Sequence, residues 1–169
     1  EVFPITQSWK FEQSGDDLGT AWKETLFNDS GWAQGPALLY VEDSSSVSPR
    51  NPPLILGSIT YYFRTGFDFS GDPANAALQF SPQVDDGAVF YLNGEEFYRL
   101  GMNDGVVTNG TFAGRSVGNA SLEGPFTVPV NNLVVGENVL AVEVHQTGTG
   151  SSDVVFGMTL STIDEYVPS

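Results

Sequence analysis

Breaks in backbone regularity limit what this chain can become: 19 glycines and 10 prolines are spread so evenly through its 169 residues that few windows of about 11 residues escape a helix breaker. Proline removes a backbone donor and glycine weakens a helix interior, and no stretch shows a 3.6-residue apolar repeat. What recurs instead are short β-branched and aromatic runs, at residues 9–13, 60–69, 76–81, 88–93, 95–100, 126–130, 139–146 and 154–163. About eight strands at this spacing predict an all-β chain, folded as an antiparallel β-sandwich.

Local signals agree. Asn93-Gly94 separates residues 88–92 from 95–100, and that dipeptide supplies the positive φ angles of a tight type I′ hairpin. In residues 138–146, Leu140, Val142 and Val144 alternate with Val139, Ala141, Glu143 and His145, so the first set is expected in the core. In residues 60–69, Tyr61, Phe63, Phe67 and Phe69 are the inward set, against Tyr62, Arg64 and Asp68, and Arg64 is expected to pair with Glu143 on the outer face. Among the aromatics, Tyr40, Tyr62, Tyr98 and Phe112 are the candidates for exposure near loops.

If successive strands run antiparallel, strand direction groups the loops. Taking the end that carries Asp85-Asp86 as the top, the Asn93-Gly94 turn lies at the bottom, and the 101–118 and 147–153 loops return to the top. The long 41–58 connection is expected there too. Long loops gathered at one end of a rigid sandwich are where such folds usually bind.

Charge and composition remove whole classes of function. With 21 acidic residues against 6 basic ones, the net charge is -15 and the pI about 4.1, so phosphate backbones and anionic lipid surfaces meet a repulsive field. No nucleic-acid partner is expected. There is no cysteine and one histidine, which excludes disulfides, thiolate zinc sites and multi-histidine metal centres. No run approaches about 18 apolar residues and no secretion signal opens the chain, so no membrane insertion is expected. Residues 1–169 read as a single domain, monomeric, with a core over about 8–163 and linker remnants of a longer multidomain chain at both ends. Low Lys with abundant Asp, Gly, Ser and Thr suggests an extracellular or cell-surface bacterial protein.

The candidate ligand-binding residues collect at the top: Asp85, Asp86, Asn103, His145, Gln146, Ser152 and Asp153, with Arg99 one step down its strand. Carboxylates and amides both accept from and donate to sugar hydroxyls, although Asp, Asn and Ser also simply make turns. Hard oxygen donors from Asp85, Asp86, Asp104 and Asp153 are the candidate ligands of a structural calcium ion. No EF-hand spacing is present, so such a site would be assembled from separate loops. Glu143 and His145 share a face, but neither a Gly-x-Ser-x-Gly elbow nor a phosphate loop accompanies them, and no catalytic residue is assigned.

Asp29-Ser30-Gly31-Trp32, Gly35-Pro36-Ala37, Thr60-Tyr61-Tyr62-Phe63-Arg64, the stretch from Asp85-Asp86-Gly87 to Tyr91-Leu92-Asn93-Gly94, and Asn138 through Val144-His145-Gln146 together resemble galactose-binding-like jelly-roll domains. The likeness spans residues 22–160. It is to modules appended to large secreted bacterial proteins, and similar segments occur in the N-terminal sugar-binding domains of β-galactosidase-type enzymes, where an Asp precedes a Tyr-Leu-Asn-Gly hairpin. The resemblance implies a non-catalytic sandwich, often with a structural calcium and with ligands held by loops at one end. This chain departs at Leu38-Leu39-Tyr40-Val41, which stands where the resemblance leads one to expect a glycine-containing turn, and the Ser-rich 42–50 insert follows.

Two functions follow as expectations. The first is a carbohydrate-binding module of an extracellular bacterial protein, holding a neutral polysaccharide or oligosaccharide with its top loops. The second is a structural or adhesive spacer whose top loops are solvated or hold calcium. Hydrolysis by a Glu143, His145 and Asp153 set is a third and lesser reading.

Overall fold

The computed structural model describes residues 1–42, 48 and 54–163. Among the described residues, ten strands form two antiparallel sheets: β1 (Ser8–Glu12), β2 (Ala33–Pro36), β3 (Leu39–Val41), β4 (Thr60–Phe69), β5 (Ala77–Asp85), β6 (Gly87–Leu92), β7 (Glu95–Leu100), β8 (Phe126–Pro129), β9 (Gly136–His145) and β10 (Val154–Ile163). One sheet has the order β2-β1-β4-β9-β6-β7 and the other β3-β10-β5-β8. The chain is thus an antiparallel β-sandwich. The 42–50 insert and the C-terminal linker residues fall largely or wholly outside the described residues.

The inner faces carry the alternating apolar sets. Tyr61, Phe63, Phe67 and Phe69 of β4 and Leu140, Val142 and Val144 of β9 face Leu78, Phe80 and Val84 of β5 and Val154, Phe156, Met158 and Leu160 of β10. Aromatic rings knit the two layers, with centroids of Phe63 and Phe156 at 4.3 Å, Trp9 and Phe156 at 4.9 Å, and Phe80 and Phe90 at 5.5 Å. Between β6 and β7, Asn93 at φ 49° and Gly94 at φ 91° make the tight turn that the dipeptide predicts. The register slips between Phe90 and Tyr91, so the edge strand β7 is bulged against its neighbour.

The outer face of the larger sheet is covered, which period-two reasoning does not anticipate. A 3-10 turn at Ala21–Lys23 drops Trp22 onto Tyr62, Val89, Tyr91 and Ala141, with Leu18, Phe27, Trp32, Met102 and Val107 packed around them. Tyr62 is therefore buried, at 1% exposure, rather than displayed; Phe112 is exposed. Arg64 does not pair with Glu143. Its Nε donates to Asp29 Oδ2 at 2.9 Å and its Nη1 to the carbonyls of Trp22 and Glu24 at 2.5 and 3.0 Å, so it clasps the covering segment, and Lys10 Nζ joins Asp29 at 2.6 Å.

Register places the loops. Thr60 pairs with His145, Gly87 with His145, Val155 with Asp85 and Val154 with Val41. The ends of β3, β5 and β9 and the starts of β4, β6 and β10 therefore share one end of the sandwich, as strand direction predicts.

Candidate functional site

Two carboxylates side by side in sequence meet opposite environments at this loop end. The Asp86 carboxylate accepts from the backbone N–H of Val117 and of Thr147, both at 2.7 Å, and its carbonyl accepts from Arg115 Nε at 2.8 Å. It thereby ties the β5–β6 corner to the 101–125 and 146–153 loops. The corner itself needs glycine at position 87, since a Cβ there would lie 2.7 Å from the Gly101 carbonyl oxygen and 2.9 Å from Met102 Sδ. With both oxygens engaged by amides, Asp86 acts as a loop tie.

Asp85, at the end of β5, is fully buried, and neither of its carboxyl oxygens has a hydrogen-bond donor. Oxygens of Glu42, Asp85 and Asp153 lie within 4.8 Å of one another. Burial, then the neighbouring carboxylates of Asp86, Asp153 and Glu42, pushes the Asp85 pKa up to about 8. Asp153 is raised as well, by burial first and then by Glu42 and Asp86. The cluster thus favours a proton or a cation.

His145 and Gln146 are buried, at 0% and 1% exposure. His145 Nδ1 donates to the Thr111 carbonyl at 2.7 Å and lies 3.1 Å from Thr60 Oγ1, which itself donates to the Asn109 carbonyl at 2.6 Å. Gln146 Nε2 donates to the Asp153 carbonyl at 2.6 Å, and its Oε1 is buried without a donor. Both residues lock loops together. Ser152 and Asp153 line a shallow concavity of about 390 Å³ with Asp86, Ser116, Thr147 and Ser151.

Three expected members fall elsewhere. Arg99 is bound by Glu96 through Nε and Nη2 at 2.5 and 3.0 Å, and its Nη1 donates to the Asn103 carbonyl at 2.9 Å; it belongs to the edge strand. Asn103 and Asp104 are exposed in the loop that follows. Among the described residues, Glu42 rather than Asp104 completes the carboxylate group with Asp85 and Asp153. Glu42 escapes a reading from sequence because β3, the strand that leads to it, is only three residues long, shorter than the runs that mark a strand.

Asp153 sits with Glu42 and Asp85 beside the smaller sheet, whereas Glu143 lies on β9 of the larger one. There Tyr91 Oη donates to Glu143 Oε1 at 2.5 Å, and His145 Nε2 is 3.2 Å from Glu143 Oε2. The three residues of the hydrolytic reading therefore divide between two places.

No family model matches the sequence. No curated protein matches it either. Solved structures do resemble it. One is a glycosyl hydrolase family 2 member from Bacteroides cellulosilyticus, at 17% identity and a TM-score of 0.51 over 92% of this chain and 20% of that one. The beta-glucuronidase of Ruminococcus gnavus matches at 13% identity and 0.51, over 84% and 20%. The Bacteroides uniformis beta-glucuronidase matches at 15% and 0.51, over 90% and 17%. The likeness is one of fold: the chain is a β-sandwich of the kind found within those chains, and it spans 17% to 20% of their length.

Proposed function

We propose that the chain is a non-catalytic sandwich module of a larger extracellular protein that works on glycans, with its loop end braced by calcium held by Glu42, Asp85 and Asp153. The observation that carries the brace is Asp85, a buried carboxyl with no donor, facing two further carboxylates. A buried charge without a partner is costly, and a divalent ion supplies one to Asp85. The donors are hard oxygens, and three carboxylates offer up to six of the roughly six to eight oxygens that calcium takes in flexible geometry. The resemblance to parts of glycoside hydrolase chains supports the setting, since the chain spans about a fifth of their length.

The brace is tested by melting and calorimetry of chelator-treated protein, with and without calcium. Calcium should bind and raise the melting temperature, and Asp85→Asn should abolish both effects. Absence of binding to the wild type sinks the brace.

A second reading, contact with a neutral polysaccharide or oligosaccharide at the same end, is favoured by the concavity lined by Ser116, Thr147, Ser151 and Ser152. Its hydroxyls suit sugar hydrogen bonding. Retention on an arrayed glycan panel, lost in a Ser151→Ala, Ser152→Ala double variant, is the expected result. A panel that retains nothing leaves a structural or adhesive spacer.

A further inference from the structure

Beside the covering segment, the outer face of the larger sheet has a notch of about 270 Å³. Gly66 of β4 lines it, exposed, in the same outward row as Tyr62, Arg64 and Asp68. A glycine inside a strand weakens it, and commonly marks a bulge or the close approach of another group. Neither a bulge nor a crowded neighbour accounts for Gly66. Its pairing with Val139 continues in register on both sides. A Cβ there would meet nothing closer than Glu137 Oε1 at 3.5 Å, an ordinary contact. What the missing side chain leaves is room.

The notch is walled by groups that the fold does not use up. Arg64 is 3% exposed. Its Nε serves Asp29 and its Nη1 the carbonyls of Trp22 and Glu24, whereas Nη2 makes no hydrogen bond among the described residues and is not sealed from solvent. A guanidinium nitrogen left over at a buried residue is a strong donor for an incoming acceptor. Lys10 stands directly opposite Arg64 in the β1–β4 register and spends one N–H on Asp29. Two cations so placed repel, and Asp29, whose oxygens are divided between them, neutralises one. One end of the notch therefore keeps a net positive charge and free donors. At the other end lies Glu137, exposed, its carboxylate beside the Gly66 gap and without a partner among the described residues.

These two ends restrict the ligand. A simple anion suits Arg64 and Lys10 but meets Glu137, and a simple cation suits Glu137 but meets Arg64 and Lys10. A purely apolar molecule would strip water from all three without replacing its hydrogen bonds. A molecule that carries a carboxylate and an ammonium a few bonds apart answers both ends. Drug-sized ligands occupy roughly 300–1,000 Å³, so this notch suits a smaller one.

We propose that the Gly66 notch binds a small free amino acid, of the class of glycine or alanine, with its carboxylate at Arg64 and Lys10 and its ammonium at Glu137. The proposal depends on neither the calcium brace nor glycan contact.

The experiment is an NMR titration of the whole chain with free glycine and L-alanine, with acetate, inorganic phosphate and methylammonium as comparators that carry one sign of charge each. At least one amino acid should give saturable shifts at the amides of Thr65, Gly66 and Val139, and should bind about tenfold or more tightly than every comparator. Glu137→Gln, a change at an exposed side chain, should weaken that amino acid about tenfold, the loss expected for one hydrogen bond to a charged group, and leave acetate as tight or tighter. Gly66→Val fills the notch with a strand-favouring residue and should abolish the shifts; if it melts early, Glu137→Gln carries the test. Asp85→Asn, at the loop end, should change the affinity less than twofold. Absence of saturable shifts in the wild type overturns the proposal. So does acetate or phosphate that binds as tightly as either amino acid, which would mark a plain anion site, or a Glu137→Gln variant that binds the amino acid unchanged.

Discussion

The loop end and the outer face of the larger sheet both bury carboxylates, and they satisfy them by opposite means. On the outer face the chain supplies the partners. Burial opposes ionisation of Asp29, yet hydrogen bonds from Lys10 and Arg64 hold its pKa below the usual carboxylate range, and Glu143 receives the Tyr91 hydroxyl. At the loop end Asp85 has no donor and is surrounded by further carboxylates. Charges balanced by side chains need no ion from solution. Charges left for a proton or a cation make one end of the same fold responsive to solution.

Removing a partner on the outer face should cost the most. Arg64→Met leaves the carbonyls of Trp22 and Glu24 without their donor and Asp29 with Lys10 alone, and a loss of about 3–5 kcal/mol in denaturant unfolding is expected; a loss under about 1 kcal/mol would mean that packing alone holds the covering segment. Asp86→Ala frees two backbone amides at the loop end and should cost about 2–3 kcal/mol, so its unfolding would mark a structural residue, whatever it does to binding. Calcium at about 100 times its Kd should add about 2.7 kcal/mol to the wild type and nothing to Asp85→Asn. Without metal, the folded state keeps the Asp85 proton up to about pH 8, whereas the unfolded chain releases it near the ordinary value of 3.8. Stability should therefore fall as pH rises between those values, with a shallower decline in Asp85→Asn; equal slopes would show that Asp85 is not the group responsible. Arg99→Ala, which breaks a surface pair with Glu96, should change stability by less than about 1 kcal/mol.

Periodicity and turn chemistry made most of the frame readable. β4, β7 and β10 run over the residues their patterns mark, and strand direction alone gathers the four loops at one end. β2 and β3 escape such a reading for different reasons, since β2 holds Gly35 and Pro36 and β3 is strand-favouring but only three residues long. Ala33-Gln34-Gly35-Pro36 is extended by pairing with β1, and Leu39–Val41 by pairing with β10. Alternation also marks which side chains leave the inner core without showing what meets them. Tyr62, Arg64 and Glu143 do point away from it, but residues 13–32 fold over them and turn an expected wet surface into a second buried layer. At the loop end, Asp and Ser identities were visible but their donors were not, because a backbone amide such as that of Val117 or Thr147 leaves no trace in composition. Glu42 joins the cluster only through the folded path of β3.

The two margins of the larger sheet bear on assembly. An open strand is a template for another chain, and a module set among others in a long protein meets many such strands at high local concentration. β7 carries Glu95, Glu96 and Arg99 and is bulged against β6, while β2 is four residues long and ends in Pro36. Each device spoils the flat, uncharged ladder that a second strand would need, so both margins discourage the sheet from growing past its own ends.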